Sequence, residues 1–233
     1  MRRTPDTAAD QDAADQDAAD HFTAGDFSAW ITGMQAALRG EHDSDVPCGT
    51  CTGCCTSSQF VHIAPDETDT LAHIPSALLF PAPRMPRGNV LLGYDERGHC
   101  PMLVDDACSI YAHRPRACRT YDCRVFAAAG VELDEGEKVH IAQRASRWQF
   151  SHPTADDAML HDAVRAAAAF LREHRTEGEG RVLATTATAL AVSAVKVHGA
   201  FVRHDIETDQ LIAVEPDAAG VQAALTAAQI DNG

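Results

Sequence analysis

The stretch Cys48-Gly-Thr-Cys51-Thr-Gly-Cys54-Cys55 decides how the rest of the chain is interpreted. Spacings of two residues between cysteines let successive sulfurs converge on one centre, and the intervening glycines permit the tight turns that such a loop needs. The C-x2-C-x2-C spacing is typical of loops that wrap an iron–sulfur cluster. A zinc site usually pairs one C-x2-C element with a second one, and none occurs elsewhere in this sequence.

The adjacent pair Cys54–Cys55 bears on the number of sites. Neighbouring side chains of an extended chain point in opposite directions, so both sulfurs rarely reach the same small ion. Two interpretations stay open: two metal centres that share this loop, or one cluster with a spare thiol beside it. The whole sequence contains eight cysteines, which would fill two sets of four.

The cysteines are interpreted as metal ligands because the sequence indicates a reducing setting. The arginine pair in the opening residues MRRTPD is followed by no apolar segment, so neither a secretory nor a twin-arginine export signal is predicted. We therefore expect a cytoplasmic location, where clustered thiols bind metal or carry out redox chemistry. The longest apolar run is too short and too weak to predict a transmembrane helix.

The second group of cysteines lies within the segments GHCPML (98–103) and ACSIYAHRPRACRTYDC (107–123). The order CxxCxxCC, then C-P-x-L, then C-x-I-Y-x-x-R-P-x-x-C-R, closely resembles the YkgJ-type CxxCxxCC cysteine-cluster family, described as zinc- or iron-chelating. The resemblance runs from Cys48 to Arg119, and Cys123 lies just outside its strictest part. It implies metal binding through cysteine without fixing a reaction. Some members look like flagellin lysine N-methylases.

Spacing and resemblance together make every cysteine a candidate metal ligand, with an iron–sulfur cluster favoured over zinc. These ligands are Cys48, Cys51, Cys54, Cys55, Cys100, Cys108, Cys118 and Cys123. Four thiolates around zinc or an oxidised four-iron cluster leave a net charge of about −2. We expect Arg114 and Arg119 to lie beside the cluster and offset that charge, the alternative being salt bridges with Asp105, Asp106 or Asp122.

The amino-acid composition limits which partners the protein is expected to have. With 19 Lys and Arg against 34 Asp and Glu, the formal net charge is −15, so nucleic acid and anionic membranes are not expected as partners.

Three hypotheses about the function stay open. The first is a protein that holds an iron–sulfur cluster or zinc, and the second is a metal-dependent enzyme that modifies a protein or peptide by methylation or redox chemistry. The third is a structural zinc module that presents helices to a protein partner. No catalytic residue is predicted, because nucleotide-binding glycine fingerprints, P-loops, G-x-S-x-G and H-E-x-x-H are missing. His99 and His113, beside cysteines, are further candidate ligands.

We predict an α+β fold in which a small, irregular cysteine-rich module with short strands is followed by packed α-helices. The expected division is a disordered acidic Ala/Asp tail (1–24), a cysteine-cluster metal-binding domain that includes an N-terminal helix (25–126), and an Ala-rich helical region packed on it (127–233). Periodicity predicts helices within 22–38, with Asp26 as cap, and within 65–74, 157–174 and 182–202. In the helix within 157–174, one apolar face is predicted, with Leu160, Val164, Ala167 and Leu171. Short strands are expected at 59–63 and 89–94.

Overall fold

A computed structural model describes residues 21–133, 135–174 and 186–230. Helices and small sheets are both present, so the predicted α+β fold is confirmed. Residues 1–20 of the expected tail lie outside the described residues, as do 182–185 of the predicted apolar helix. The three-part domain division stays a prediction.

The described helices are α1 (Phe27–Leu38), α2 (Thr68–His73), α3 (Arg116–Arg119), α4 (Arg124–Ala129), α5 (Glu135–Ala145), α6 (Ala155–Glu173), α7 (Ala187–Val197) and α8 (Ala218–Ile230). Short 3₁₀ helices cover Gly53–Thr56, Ser76–Leu78, Tyr111–His113 and His198–Phe201. The described strands are β1 (Phe22–Asp26), β2 (Val61–Ile63), β3 (Leu79–Pro81), β4 (Val90–Leu92), β5 (Leu103–Val104), β6 (Ala107–Cys108), β7 (Trp148–Ser151), β8 (Val202–Asp205) and β9 (Gln210–Ala213). None of the described helices combines the length and apolar character that a bilayer crossing requires.

The described strands form four small sheets. The sheet β2–β4–β3 and the pairs β5–β6 and β8–β9 are antiparallel, whereas β1 and β7 pair in parallel. This parallel pair sets Phe22 opposite Trp148, so the chain that precedes the first cysteine lies beside the chain that follows the last one. Parallel pairing needs a long connection, and here that connection contains the whole cysteine-rich region.

The larger core lies between α1 and the helices that follow the cysteines. Phe27, Val164 and Val195 are fully buried within it. The face predicted for α6 is the buried one, since Ala167 and Leu171 lie in the same cluster as Val164. Burial of large side chains contributes roughly 1.5–3 kcal/mol each, so these helices carry most of the hydrophobic stabilisation.

A smaller core lies beneath the sheet β2–β4–β3. In the described structure it contains four buried residues, which are Ile63, Ile74, Leu92 and Ile110. So small a core supplies little hydrophobic stabilisation by itself.

The first helix begins at the predicted cap position, but the group that caps it differs from the prediction. Phe22–Asp26 form β1, and α1 begins at Phe27 with Asp26 at the N-cap position. The Asp26 side chain makes no capping bond, because its Oδ1 accepts a hydrogen bond from Ser151 Oγ (2.6 Å). The first turn is capped instead by Asp157, whose Oδ1 accepts from the Ser28 N–H (2.8 Å). A partner 129 residues away leaves no trace in local periodicity.

Candidate metal centres

The first cysteine cluster is a loop that ends in a turn of 3₁₀ helix, Gly53–Thr56. Hydrogen bonds from the Cys51 N–H to the Cys48 carbonyl (3.0 Å) and from the Cys55 N–H to the Thr52 carbonyl (2.8 Å) hold the loop. Successive residues of a 3₁₀ helix are about 120° apart around its axis, so the adjacent thiols of Cys54 and Cys55 leave the turn in different directions. All eight cysteines are free thiols.

The two glycines of this loop have different roles. Gly49 has a φ of +55°, in the left-handed region that the predicted tight turn requires. Gly53 does not share that conformation, so its predicted role in the turn is wrong. A Cβ atom on Gly53 would lie 3.2 Å from the His140 carbonyl oxygen. The missing side chain therefore lets the backbone of α5 approach the loop.

One group of four cysteines, here called the first set, consists of Cys48, Cys51, Cys54 and Cys123. Cys54 is exposed as a residue. Desolvation of its thiol nevertheless raises the pKa of Cys54 well above its usual range, and the charges of Cys123, Cys55, Cys48 and Cys51 raise it further. Burial likewise raises the pKa of Cys123 to about 11, with contributions from Cys48 and Cys51. The mutual effects show that these thiols are neighbours.

The remaining four cysteines form the second set: Cys55, Cys100, Cys108 and Cys118. Burial raises the pKa of Cys55 to about 11, followed by the charges of Cys100 and Cys108 and then by that of Cys51 from the first set. Burial also raises the pKa of Cys118 to about 12, and Cys55, Cys100 and Cys108 are the thiols that raise it further. The Cys100 N–H donates to the Cys55 carbonyl (2.7 Å), which joins the first loop to the second group of cysteines. The adjacent Cys54 and Cys55 thus belong to different sets.

The sulfurs within the sets are widely spaced. All eight cysteines are described, and no three of their sulfur atoms lie within 4.8 Å of one another. A tetrahedral zinc ion with Zn–S bonds of about 2.3 Å needs its sulfurs about 3.8 Å apart. The thiols are therefore farther apart than the ligands of a bound zinc ion.

Two residues beyond the last cysteine contact the first set. Trp148 Nε1 donates a hydrogen bond to Cys123 Sγ (3.1 Å). The guanidinium of Arg144 lies over the ring of Trp148, donates to the Pro47 carbonyl (3.1 Å), and partly offsets the rise in the pKa of Cys48 that burial causes. Sequence reasoning missed both roles. Neither residue is adjacent to a cysteine: the pairing of β7 with β1 positions Trp148, and the packing of α5 against the loop positions Arg144.

Arg114 lies close to the second set. Its Cζ atom is 3.6 Å from the ring centroid of Tyr111, and its Nε donates to the Tyr111 carbonyl (2.9 Å). Its positive charge partly offsets the burial that raises the pKa of Cys55 and Cys118. Tyr111 thus holds the guanidinium in place beside these thiols.

Arg119, unlike Arg114, pairs with a carboxylate. Its Nη1 pairs with Asp43 Oδ1 (2.8 Å), and its Nε donates to the Arg114 carbonyl (3.1 Å). Asp122 is one of the carboxylates expected as alternative partners of Arg114 and Arg119. It pairs instead with Arg124 (2.7 Å). Arg119 therefore supports the backbone of Arg114 and ties it to the loop before the first cysteine.

The Asp122–Arg124 ion pair holds Cys123 from both sides. Both side chains are at least nine-tenths buried. Asp122 also accepts from Trp30 Nε1 (2.9 Å), and Arg124 donates to the Ala24 carbonyl (3.1 Å). The residues that flank Cys123 are therefore fixed to α1 and β1.

The fold and these thiols define a cysteine-rich module with the donor chemistry of a metal site. Residues 47–145, which include all eight cysteines, match the family model CxxCxxCC, described as "Putative zinc- or iron-chelating domain". This match supports a metal-binding role for that region. No curated protein and no solved structure matches the chain.

Proposed function

We propose that this chain is a YkgJ-type metal-binding protein that holds two iron–sulfur clusters, one on each set of four cysteines. The observation that carries the proposal is that Cys54 and Cys55 have different strongest neighbours: Cys123 acts most strongly on the thiol of Cys54, whereas Cys100 and Cys108 act most strongly on that of Cys55. Iron–sulfur clusters of the two-iron and four-iron types are held by four thiolates. Two clusters would use all eight cysteines.

The spacing of the sulfurs favours a cluster over a single ion. No three sulfurs lie within 4.8 Å of one another, whereas one zinc ion draws its ligands to about 3.8 Å. In an iron–sulfur cluster the thiolates bind different irons, so the body of the cluster lies between them. Sulfurs spaced more widely than zinc ligands are compatible with such a body.

Hydrogen bonds to sulfur provide a second argument. Cys51 Sγ accepts from the Gly53 N–H (3.4 Å), and Cys123 Sγ accepts from Trp148. Backbone N–H groups of Met102 and Leu103 act in the same way on Cys100 and lower its pKa against the effect of burial. Such bonds stabilise thiolates and adjust the reduction potential of a bound cluster. The donors differ between the sets, so we expect two potentials.

A structural zinc module is the second candidate, and the small core favours it. Only four buried residues make up the described core beneath the sheet β2–β4–β3. A module of this kind gains its stability from the metal, and its binding free energy is then folding free energy. This candidate predicts colourless protein, and unfolding when the zinc is removed.

The test is anaerobic purification followed by an absorption spectrum and counts of iron, sulfide and zinc. We expect brown protein with two clusters per chain. Cys54→Ser and Cys55→Ser should each halve the iron content but remove different electron paramagnetic resonance signals from the reduced protein. The matched variants Cys123→Ser and Cys118→Ser should reproduce the first and the second loss, respectively.

Two results would reject the proposal. Colourless protein with zinc, from strictly anaerobic cells and buffers, would establish the zinc module. Loss of the same signal from Cys54→Ser and Cys55→Ser would show that the two cysteines serve one centre.

A further inference from the structure

A different group of ligands lies on the surface, outside both cysteine sets. It consists of Asp69, His73 and His113, whose ligand atoms all lie within 4.8 Å of one another. Asp69 and His73 are one turn apart on α2, and His113 ends the 3₁₀ helix Tyr111–His113. The fold thus joins two ligands from one helix with a third that lies 44 residues further along the chain.

The two imidazoles face the same carboxylate. His113 Nδ1 is 2.7 Å from Asp69 Oδ2, and His73 Nδ1 is 3.8 Å from Asp69 Oδ1. The rings are stacked with their centroids 3.5 Å apart and their planes inclined by 6°. Two nitrogens bound to one tetrahedral ion at about 2.05 Å are about 3.3 Å apart. The ligand atoms already lie within 4.8 Å of one another, so rotation of one exposed ring out of the stack would direct both nitrogens to one point beside the carboxylate.

We propose that Asp69, His73 and His113 form a surface site for one divalent transition-metal ion of the zinc type. The ion takes the place of the proton that His113 and Asp69 share, and His73 completes the protein ligands by giving up its 2.8 Å bond to the Asp69 carbonyl. Imidazole and carboxylate suit zinc, cobalt and nickel, whereas soft thiolates are the ligands of the cysteine sets. The two kinds of site therefore differ in donor chemistry.

The surroundings leave this site open to solvent. The side chains of Asp69, His73 and His113 are 70%, 40% and 37% exposed. Asp69 and His113 also line a cleft of about 360 Å³. Among the cleft's cations, Arg116 is paired with Asp66 (2.8 Å), and the Arg114 guanidinium is stacked on Tyr111. Three protein ligands on an open surface leave the other coordination positions to water.

Ion binding at this place would stabilise the second cysteine set. His113 lies between Cys108 and Cys118, while Asp69 and His73 belong to α2 beside the smaller core. An ion held by both segments would cross-link them, and a ligand that binds only the folded state raises the melting temperature. The proposal does not depend on which metal the cysteines hold.

The test uses tag-free, full-length protein whose native metal content has been counted. Titration with Co²⁺ or Zn²⁺, followed by calorimetry and by the melting temperature, should show one added ion per chain. His73→Ala and His113→Ala should each weaken this binding by about tenfold or more and abolish the rise in melting temperature. The matched control is His204→Ala, because His204 forms an exposed pair with Asp209 (3.2 Å) to which no other described residue adds a third ligand.

The outcomes separate this site from the cysteine centres. Cobalt on histidine and carboxylate gives weak visible bands, whereas cobalt on thiolates gives intense charge-transfer absorption. Weak bands that disappear in His113→Ala, with native metal content unchanged, support the site even if the cysteines hold no iron. No saturable binding at millimolar ion, or equal binding by wild type and His113→Ala, overturns it. The triad is then a surface ion pair with a stacked histidine.

Discussion

The indole Nε1 of Trp148 donates a hydrogen bond to the sulfur of Cys123 over 3.1 Å, with both residues buried in the larger core. Trp148 begins β7, so the pairing of β7 with β1 fixes the indole relative to the cysteine. A hydrogen bond to a cluster thiolate stabilises negative charge on the sulfur. It therefore makes a bound cluster easier to reduce.

The first prediction is that Trp148→Phe lowers the reduction potential of the cluster on the first set. One hydrogen bond of about 1 kcal/mol corresponds to roughly 40 mV for a one-electron couple. Phenylalanine fills most of the indole volume and keeps an aromatic face for Arg144. The potential is measured by a redox titration monitored through the electron paramagnetic resonance of each cluster.

Trp30→Phe is the matched control for that experiment. It removes a buried indole donor whose acceptor is Asp122 instead of a sulfur. We expect a comparable loss of stability with a much smaller change in potential. Equal shifts in the two variants, or a shift of the other cluster in Trp148→Phe, would contradict a direct effect on Cys123.

The fold was predictable from sequence where short-range patterns decide it. The spacing of Val164, Ala167 and Leu171 located the buried face of α6, and the alternation at residues 59–63 located β2. Long-range pairings were not predictable. No local pattern links β1 to β7, and the segment from Asp205 onward is too weakly patterned to reveal β9 or α8.

The candidate site, like the fold, was predictable from the sequence only in part. The identity of the candidate ligands follows from spacing, because the eight cysteines lie in the short segments 48–55 and 100–123. Their partition does not follow from spacing, since it depends on the 3₁₀ turn that separates Cys54 from Cys55. The contacts of Trp148 and Arg144 are tertiary, and they required the fold.

The second prediction concerns the buried pair of Asp122 and Arg124. Arg124→Leu leaves the Asp122 carboxylate buried without its cation, which typically costs about 3–5 kcal/mol. Arg97→Leu is the control, because its pair with Asp95 is exposed and should contribute less than about 1 kcal/mol. Urea denaturation of metal-loaded proteins measures both. Similar midpoints for the two variants would show that the buried pair is not a main support of Cys123.

The third prediction concerns the carboxylate that caps two helices. Asp157 accepts from Ser28 at the start of α1 and from the Thr154 N–H (2.9 Å) at the start of α6. These hydrogen bonds hold the pKa of Asp157 well below its usual range. Its contribution to stability is therefore full above the unfolded pKa of about 4 and is lost as the pH falls below that value.

Asp157→Asn should accordingly lower the melting temperature at neutral pH, and the difference from wild type should shrink below about pH 4. The neighbouring Asp156→Asn, on the exposed first turn of α6, removes only an interaction with the helix dipole of less than about 1 kcal/mol. A difference that persists unchanged in acid would mean that Asp157 acts through shape and not through charge.

The last prediction concerns His161, which is buried against the ring of Phe27 (centroids 4.2 Å apart) and accepts or donates a hydrogen bond with His152 (2.8 Å). Burial lowers the pKa of His161 to about 4. Below about pH 6.5 the imidazole is protonated in the unfolded chain but stays neutral in the folded chain. The free energy of unfolding therefore falls as the pH drops from 6.5 toward 4, by on the order of 3 kcal/mol.

His161→Phe should flatten this part of the stability curve, measured as denaturation midpoints from pH 7 to 4. Phe27→Leu perturbs the same core but keeps the histidine, so it should lower stability at every pH and leave the slope intact. An unchanged slope in His161→Phe would assign the acid sensitivity to other groups.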